Sequence, residues 1–330
     1  MAVVTGTFTT ATPVGNRESL SDIINMITPR DTPVFSDISH PSVDRAFFEW
    51  EIDTLATPAT NTQLEGDTFT FATVSPVTRV ADYTQILRKD WSISGSQEAS
   101  NNAGDAEKRK RVQLKRGIEI RKDVEFSILS NVASVGGQTR VSGGLPSWLT
   151  SNVSRGAGGA NGGYSSGTKL TVAETLGTQR AFSQTLLDTV MQSVYASGGN
   201  VKTAYLSPYA KGVFVTFMSN ANVAAFRYMA DDGTKNTIVS NADMYASPWG
   251  EIEIKPDRVM ATSAAVARRV FLVDPEMLGW AWFRPISNVP DLAKIADSEQ
   301  GVILGEGGLK VNNEAGLGVV ADVFGLTAAS

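Results

Sequence analysis

The stretch DAEKRKRVQLKRGIEIRKDVEFSILSNV, residues 105–132, contains no proline and a single glycine, Gly117. Apolar residues fall at Val112, Leu114, Ile118, Ile120, Val124, Ile128, Leu129 and Val132, and part of this set follows a helical stripe. Glu107 with Arg111, Lys115 with Glu119, and Arg121 with Glu125 are opposite charges four apart, a spacing that brings side chains together on one helix face. The pattern predicts one helix of roughly 40 Å, at about 1.5 Å per residue. Its apolar stripe is thin for that length, so most of its surface has to meet water or other subunits. A strut carrying other elements fits this pattern, and so does a solvated surface helix.

Upstream of the strut, residues 46–83 change to strand patterning. Phe47–Ile52 partly alternates, and Thr68, Phe69, Thr70, Phe71, Ala72 and Thr73 alternate cleanly. Between them residues 56–67 are polar and turn-rich, which predicts a long two-stranded hairpin. An isolated hairpin is only marginally stable in water, so its aromatic residues need something to rest on. Residues 84–93 predict a further strand leading toward the strut. At the front, residues 1–45 read as an arm: a short helix at 19–26, then Pro29 and Pro33, which each disfavour helix in the preceding residue. The arm has too little apolar content to fold alone.

Downstream, residues 136–167 are rich in glycine, asparagine and serine, and 151–167 predict an exposed loop. Leu145, Pro146, Trp148 and Leu149 form an apolar anchor within it. The glycine run at 158–163 lacks the Gly-Lys-Ser/Thr ending of a phosphate loop and opens no apolar helix. A helix is expected over 178–196, ended by Gly198 and Gly199. Thr203–Leu206 predicts a strand, followed by Ser207 as N-cap, Pro208 at the first helical position and a helix over 209–218. Strands are expected at 237–240, 250–254, 270–274, 278–283 and within 301–324. Strand and helix mix without a regular βαβ repeat, which predicts an α+β body.

Composition narrows the function. Net charge is −5, so there is no general electrostatic reason to bind nucleic acid. There is no cysteine, which excludes disulfides and thiolate metal sites, and the single histidine is His40, in a polar turn. A Ser/His arrangement would have to use that one residue, and a zinc site would need carboxylates for its other ligands. Asp231 and Asp232 before Gly233 read as a turn, and Glu251 and Glu253 as exposed strand carboxylates. No catalytic, cofactor-binding or metal-binding residue is expected, and no cofactor. The N-terminus has no basic region followed by an apolar run, and no apolar run approaches about 18 residues, so neither a secretory signal nor a membrane span is expected.

Arm, long hairpin, long charged helix, α+β body and strand-rich C-terminus, in this order, resemble the major capsid protein of tailed bacteriophages with the Hong Kong 97-type fold. Several stretches are similar to one branch of it, the major head proteins collected as a domain family of unknown function. They are Asp31-Thr32-Pro33, Lys202-Thr203-Ala204-Tyr205-Leu206-Ser207-Pro208, Leu272-Val273-Asp274-Pro275-Glu276, Leu292-Ala293-Lys294-Ile295-Ala296-Asp297-Ser298-Glu299 and Leu309-Lys310-Val311-Asn312-Asn313-Glu314. The resemblance implies an N-terminal arm (1–45), an extended loop over a neighbouring subunit (46–83), a peripheral domain (84–167) with a spine helix (105–132), an axial domain (168–284) and C-terminal strands returning to the body (285–330).

It further implies self-assembly as hexamers and pentamers into an icosahedral head shell around double-stranded DNA, in the virion after assembly in the host cytoplasm. Phe47, Trp50, Phe69, Phe71, Arg109, Arg111, Lys115 and Arg116 are the candidate inter-subunit contacts. Some members of this fold join a loop lysine to a neighbour's asparagine. Here the first lysine is Lys89, so the loop offers no amine and noncovalent contacts or a cementing protein are expected. A separate scaffolding protein, a portal and weak, local DNA contacts are the other expected partners. The alternatives are the shell of a cellular nanocompartment, which shares the fold, and a non-assembling decoration or binding protein.

Overall fold

The computed structural model describes residues 28–69, 71, 73–74, 76–100, 108–217, 243–289 and 296–326. In chain order its elements are α1 (Pro33–Asp37), β1 (Phe47–Ile52), β2 (Thr78–Tyr83), β3 (Gln85–Ser94), α2 (Gly95–Ala99), α3 (Lys108–Leu129) and α4 (Leu145–Trp148). There follow β4 (Val153–Ser154), β5 (Gly163–Ser165), β6 (Leu170–Val172), α5 (Gln184–Ala196), β7 (Thr203–Leu206), α6 (Pro208–Thr216), β8 (Met244–Ser247) and β9 (Gly250–Pro256). The last are α7 (Ala264–Ala267), β10 (Val270–Val273), β11 (Leu278–Asn288), β12 (Ser298–Val311) and β13 (Gly318–Val320).

A mixed sheet in the order β4-β13-β10-β7-β9-β8 forms the middle layer. Its central strands are short unbroken apolar runs because both faces are covered. Val270, Leu272, Ala204, Leu206 and Val320 pack with α5 and α6. The alternate residues Phe271, Val273, Tyr205, Val319 and Ala321 face the other way, into a core shared with α1, α3, α4 and Trp280. That second core continues onto an antiparallel sheet, β11-β12-β3.

The long helix is present as α3, and its thin stripe has a structural reason. Ile120, Val124, Ile128 and Leu129 in its C-terminal half are buried, while the half before them stands largely out of the core. It ends at Leu129, short of the expected 132. The Ser130 hydroxyl donates to the Phe126 carbonyl, and the Gly144 N–H takes the Val132 carbonyl at 2.9 Å. Gly144 is required there, since a side chain would overlap the Ser130 carbonyl oxygen. Residues 105–107 lie outside the described residues.

The hairpin forms with a different second strand. β1 pairs with β2 from Phe47↔Tyr83 to Ile52↔Thr78, not with residues 68–73, whose described members are in no strand. β2 wins because it can bury Val80 and Ala81 on the body, whereas the alternating phenyl groups at 69 and 71 have no face to cover them. Residues 151–167 are also more ordered than an exposed loop. β4 pairs in parallel with β13, and the buried Asn152 amide donates to the carbonyls of Ala315 and Leu317. α5 starts at Gln184 rather than 178, because Arg180 and Phe182 are drawn into backbone pairing with Asp322, Phe324 and Gly325.

The anchor at Leu145–Trp148, the Gly198 stop with its left-handed φ of 88°, and the Ser207 cap with Pro208 are as expected. The described part of the arm lies on its own body, with Val34, Phe35 and Ile38 in the core. The expected helix at 19–26 and strand at 237–240 fall outside the described residues.

Candidate functional site

The extended loop starts from a base fixed by aromatic residues. The Trp50 indole N–H donates to the Val311 carbonyl at 2.9 Å. Its ring stacks on Phe48 at 5.5 Å and lies 5.6 Å from Trp148. Phe47 packs on Tyr83 at 4.8 Å, under the Lys169 ammonium, which also pairs with Glu49 at 2.7 Å. Phe47 and Trp50 therefore hold the hairpin to its own chain.

Beyond this base, residues 53–77 contain no strand or helix among the described residues. Leu55, Leu64, Phe69, Phe71 and Val74 stand in solvent, Phe69 at 90% and Phe71 at 92% exposure. Exposed apolar surface of this extent on one segment is the kind that interaction sites present. Glu49, Glu51, Asp53, Glu65 and Asp67 fall between Arg45 and Arg79 with no basic residue among them, so the surface is acidic as well as apolar.

Six of the eight basic residues of α3 lie in its outer half. Arg109 pairs with Glu299 of β12 at 2.8 Å. Lys115 and Arg116 both reach Glu119, at 4.0 and 2.6 Å. Arg111 and Leu114 are exposed beside them. The structure thus separates the eight candidate contacts: two anchor the loop base, two lie exposed on the loop, and four lie along the helix. The expected Arg121–Glu125 pair is replaced. Arg121 sits over the Phe35 ring at 5.5 Å, and Glu125 turns inward.

Buried carboxylates fasten these surfaces to the body. Asp82 in β2 accepts from the Ser142 hydroxyl at 2.8 Å and the Tyr83 N–H at 2.8 Å, and burial pushes its pKa up to about 8. Glu306 of β12 accepts from Thr84 at 2.9 Å and Arg284 at 2.7 Å, and also from Arg140. Burial alone would raise its pKa, but these three donors hold it below the usual range. Glu174 joins Arg155 and Arg269 beneath β4. Residue types alone gave no sign of these roles. Glu125 carried one, since it lies on a helical line with Ile118 and Leu129.

His40 packs on Phe35 with ring centroids 4.5 Å apart, and burial lowers its pKa. Glu251 and Glu253 are exposed on β9, and Glu253 pairs with Lys255 at 3.1 Å. Asp231 and Asp232 lie outside the described residues. Among the described residues no group of three or more His, Cys, Asp or Glu is placed to hold a metal ion, and no helix is long and apolar enough to cross a membrane.

Comparison with known proteins accords with this geometry. The chain is 30% identical over 120 residues to a major capsid protein of Escherichia phage Phieco32, a match covering 36% of this chain and 34% of that relative's length. Among solved structures, the capsid asymmetric unit of cyanophage A-1(L) superposes with a TM-score of 0.62 at 10% identity, over 96% of this chain and 99% of that one. The holo-SrpI encapsulin of Synechococcus elongatus PCC 7942 gives 0.56 at 9% identity, over 96% and 95%. These structures show the fold, the Hong Kong 97-type. The model of the SU10 major capsid protein family matches residues 3–324, and the chain belongs to that family.

Proposed function

We propose that this chain is the major capsid protein of a tailed phage, assembling as hexamers and pentamers into the icosahedral head shell around double-stranded DNA. The observation that carries this reading is the loop at 53–77, an acidic and apolar segment that its own chain leaves in solvent. Family membership supplies the context. The loop gains stability only by burying its phenyl groups on another copy, and head-to-tail contacts of that kind close into rings. It is not an enzyme in this reading. An encapsulin shares the fold, so the fold alone does not separate a phage head from a nanocompartment, whereas the family match is to phage head proteins.

In this assignment residues 1–45 are the arm, 46–83 the extended loop, 84–167 the peripheral domain, 168–284 the axial domain and 285–330 the returning strands. β11 crosses the boundary at 284 and knits the two domains. The eight candidate contacts act in two sets. Phe69 and Phe71 touch the neighbour directly, with Phe47 and Trp50 setting the loop's exit. Arg109, Arg111, Lys115 and Arg116 offer a basic strip to the neighbour's acidic groups. Scaffold, portal and cement proteins are separate chains, DNA contact is weak, and assembly takes place in the host cytoplasm.

Electron microscopy of the purified protein, alone and with a neighbouring scaffold gene, tests the reading. Closed shells or hexamer and pentamer rings are expected. Dispersed monomers in both preparations would remove its basis.

A further inference from the structure

Two fully buried acids meet where the arm, the spine and the central sheet come together. Glu125 of α3 accepts the Val34 N–H at 2.9 Å with one carboxyl oxygen and the Phe35 N–H at 2.7 Å with the other. These amides open α1. Asp257, just after β9, accepts the Val259 N–H at 2.7 Å through Oδ1, while its Oδ2 is buried with no donor. The two carboxyls are within hydrogen-bond reach of each other.

Other charged groups nearby have their own partners. Asp37 of α1 accepts from Tyr205 of β7 at 2.7 Å and from Lys255 of β9 at 2.8 Å. Lys255 also pairs with Glu253, Arg258 pairs with Asp31 at 3.5 Å, and Arg121 of α3 lies over Phe35 beside His40. Among the described residues no cation pairs with Glu125 or Asp257. Two ionised carboxylates side by side without a cation, both buried, repel strongly, and neither has a hydrogen to donate.

We infer that Glu125 and Asp257 share one proton, and that this proton latches α1, and through it the arm, to the spine helix and the sheet. It gives Asp257 Oδ2 a side-chain donor and leaves one negative charge, which the backbone N–H groups of Val34, Phe35, Val259 and Met260 accommodate. The latch belongs to the single chain and does not depend on assembly.

Its pH sense follows from burial, which raises both acids above their ordinary range, Glu125 to about 8. The folded chain keeps a proton that the unfolded chain releases near 4.5. The stabilisation is therefore full below that value and is lost as pH rises to about 8.

Hydrogen exchange at the Val34 and Phe35 amides, corrected for the intrinsic pH dependence, reads the latch. Release of one proton on opening predicts that protection falls about tenfold per pH unit from about pH 6 to about pH 8 and then levels. In Asp257→Asn the amide donates permanently, and the profile becomes flat. Glu125→Gln also removes the shared proton and flattens the profile, at lower overall protection because its amide nitrogen cannot accept one of the two α1 N–H groups, and it serves if the first variant does not fold. Asp82→Asn, which removes the other raised acid, keeps the slope at α1. A flat profile in the native chain, or a retained slope in Asp257→Asn or Glu125→Gln, overturns the inference.

Discussion

Replacing Phe69 and Phe71 together with alanine separates folding from assembly. Both rings are at least nine-tenths exposed in the single chain, so their removal takes nothing from its core. If each ring is buried in the shell, each contributes about 1.5–3 kcal/mol there. The double variant then loses about 3–6 kcal/mol per interface, which raises the concentration needed for assembly by roughly two to four powers of ten. Light scattering against protein concentration gives that threshold, with electron microscopy to identify the particles. Calorimetry of unassembled chain should show an unchanged Tm. A variant that assembles at the native threshold would refute the loop as an interface. A lowered Tm in the unassembled chain would show instead that the rings pack on their own body.

Three further outcomes are expected. Gly144→Ala forces a methyl group into the Ser130 carbonyl and should cost about 3 kcal/mol in urea unfolding, because backbone on both sides has to shift. Glu306→Gln removes the charge that Thr84, Arg140 and Arg284 share and should cost about 2 kcal/mol at neutral pH. Because Glu306 titrates below the usual range, its contribution is present above that range and disappears as pH falls through its depressed pKa. Native and variant midpoints should therefore converge in acid. Finally, denaturing gels of mature particles should show single chains, since no lysine precedes Lys89; a ladder of crosslinked multimers would contradict this.

Elements with a local cause could be read from the sequence. The spine showed in its charge pairs and missing prolines, α6 in Ser207-Pro208, and the end of α5 in Gly198. The central strands declared themselves as apolar runs, although only the structure showed that alternate residues of β10 and β7 enter different cores. What failed was partner choice between distant segments. Residues 68–73 have better strand alternation than 78–83, but burial on the body decides pairing, and that depends on chain far away in sequence. Polar loops misled for a related reason: Asn152 looked like solvent and instead satisfies carbonyls 163 and more residues downstream. The proposed assembly surface divides the same way. The exposed aromatic pair on the loop was visible, while the anchoring role of Phe47 and Trp50 required Tyr83, Trp148 and Val311 in place. The buried acids were the least visible, since a carboxylate in a core is recognised by its donors.

Only Thr84 separates the returning strand β2 from β3, and it is tied on three sides. Its N–H donates to Ala46 at 2.8 Å, its hydroxyl to Glu306, and its carbonyl accepts from Arg140 at 3.3 Å. The next residue begins a ladder in register with β12 from Gln85↔Gly307 to Ser94↔Ser298. Tension applied to the loop would thus meet a clamp before it reached the sheet. Load passing the clamp would enter that ladder at one end, where the Glu306 ion pairs reinforce it. Single-molecule pulling on the loop should load the β1–β2 pair with its Trp50 and Asp82 anchors first and reach the Thr84 junction only after these yield.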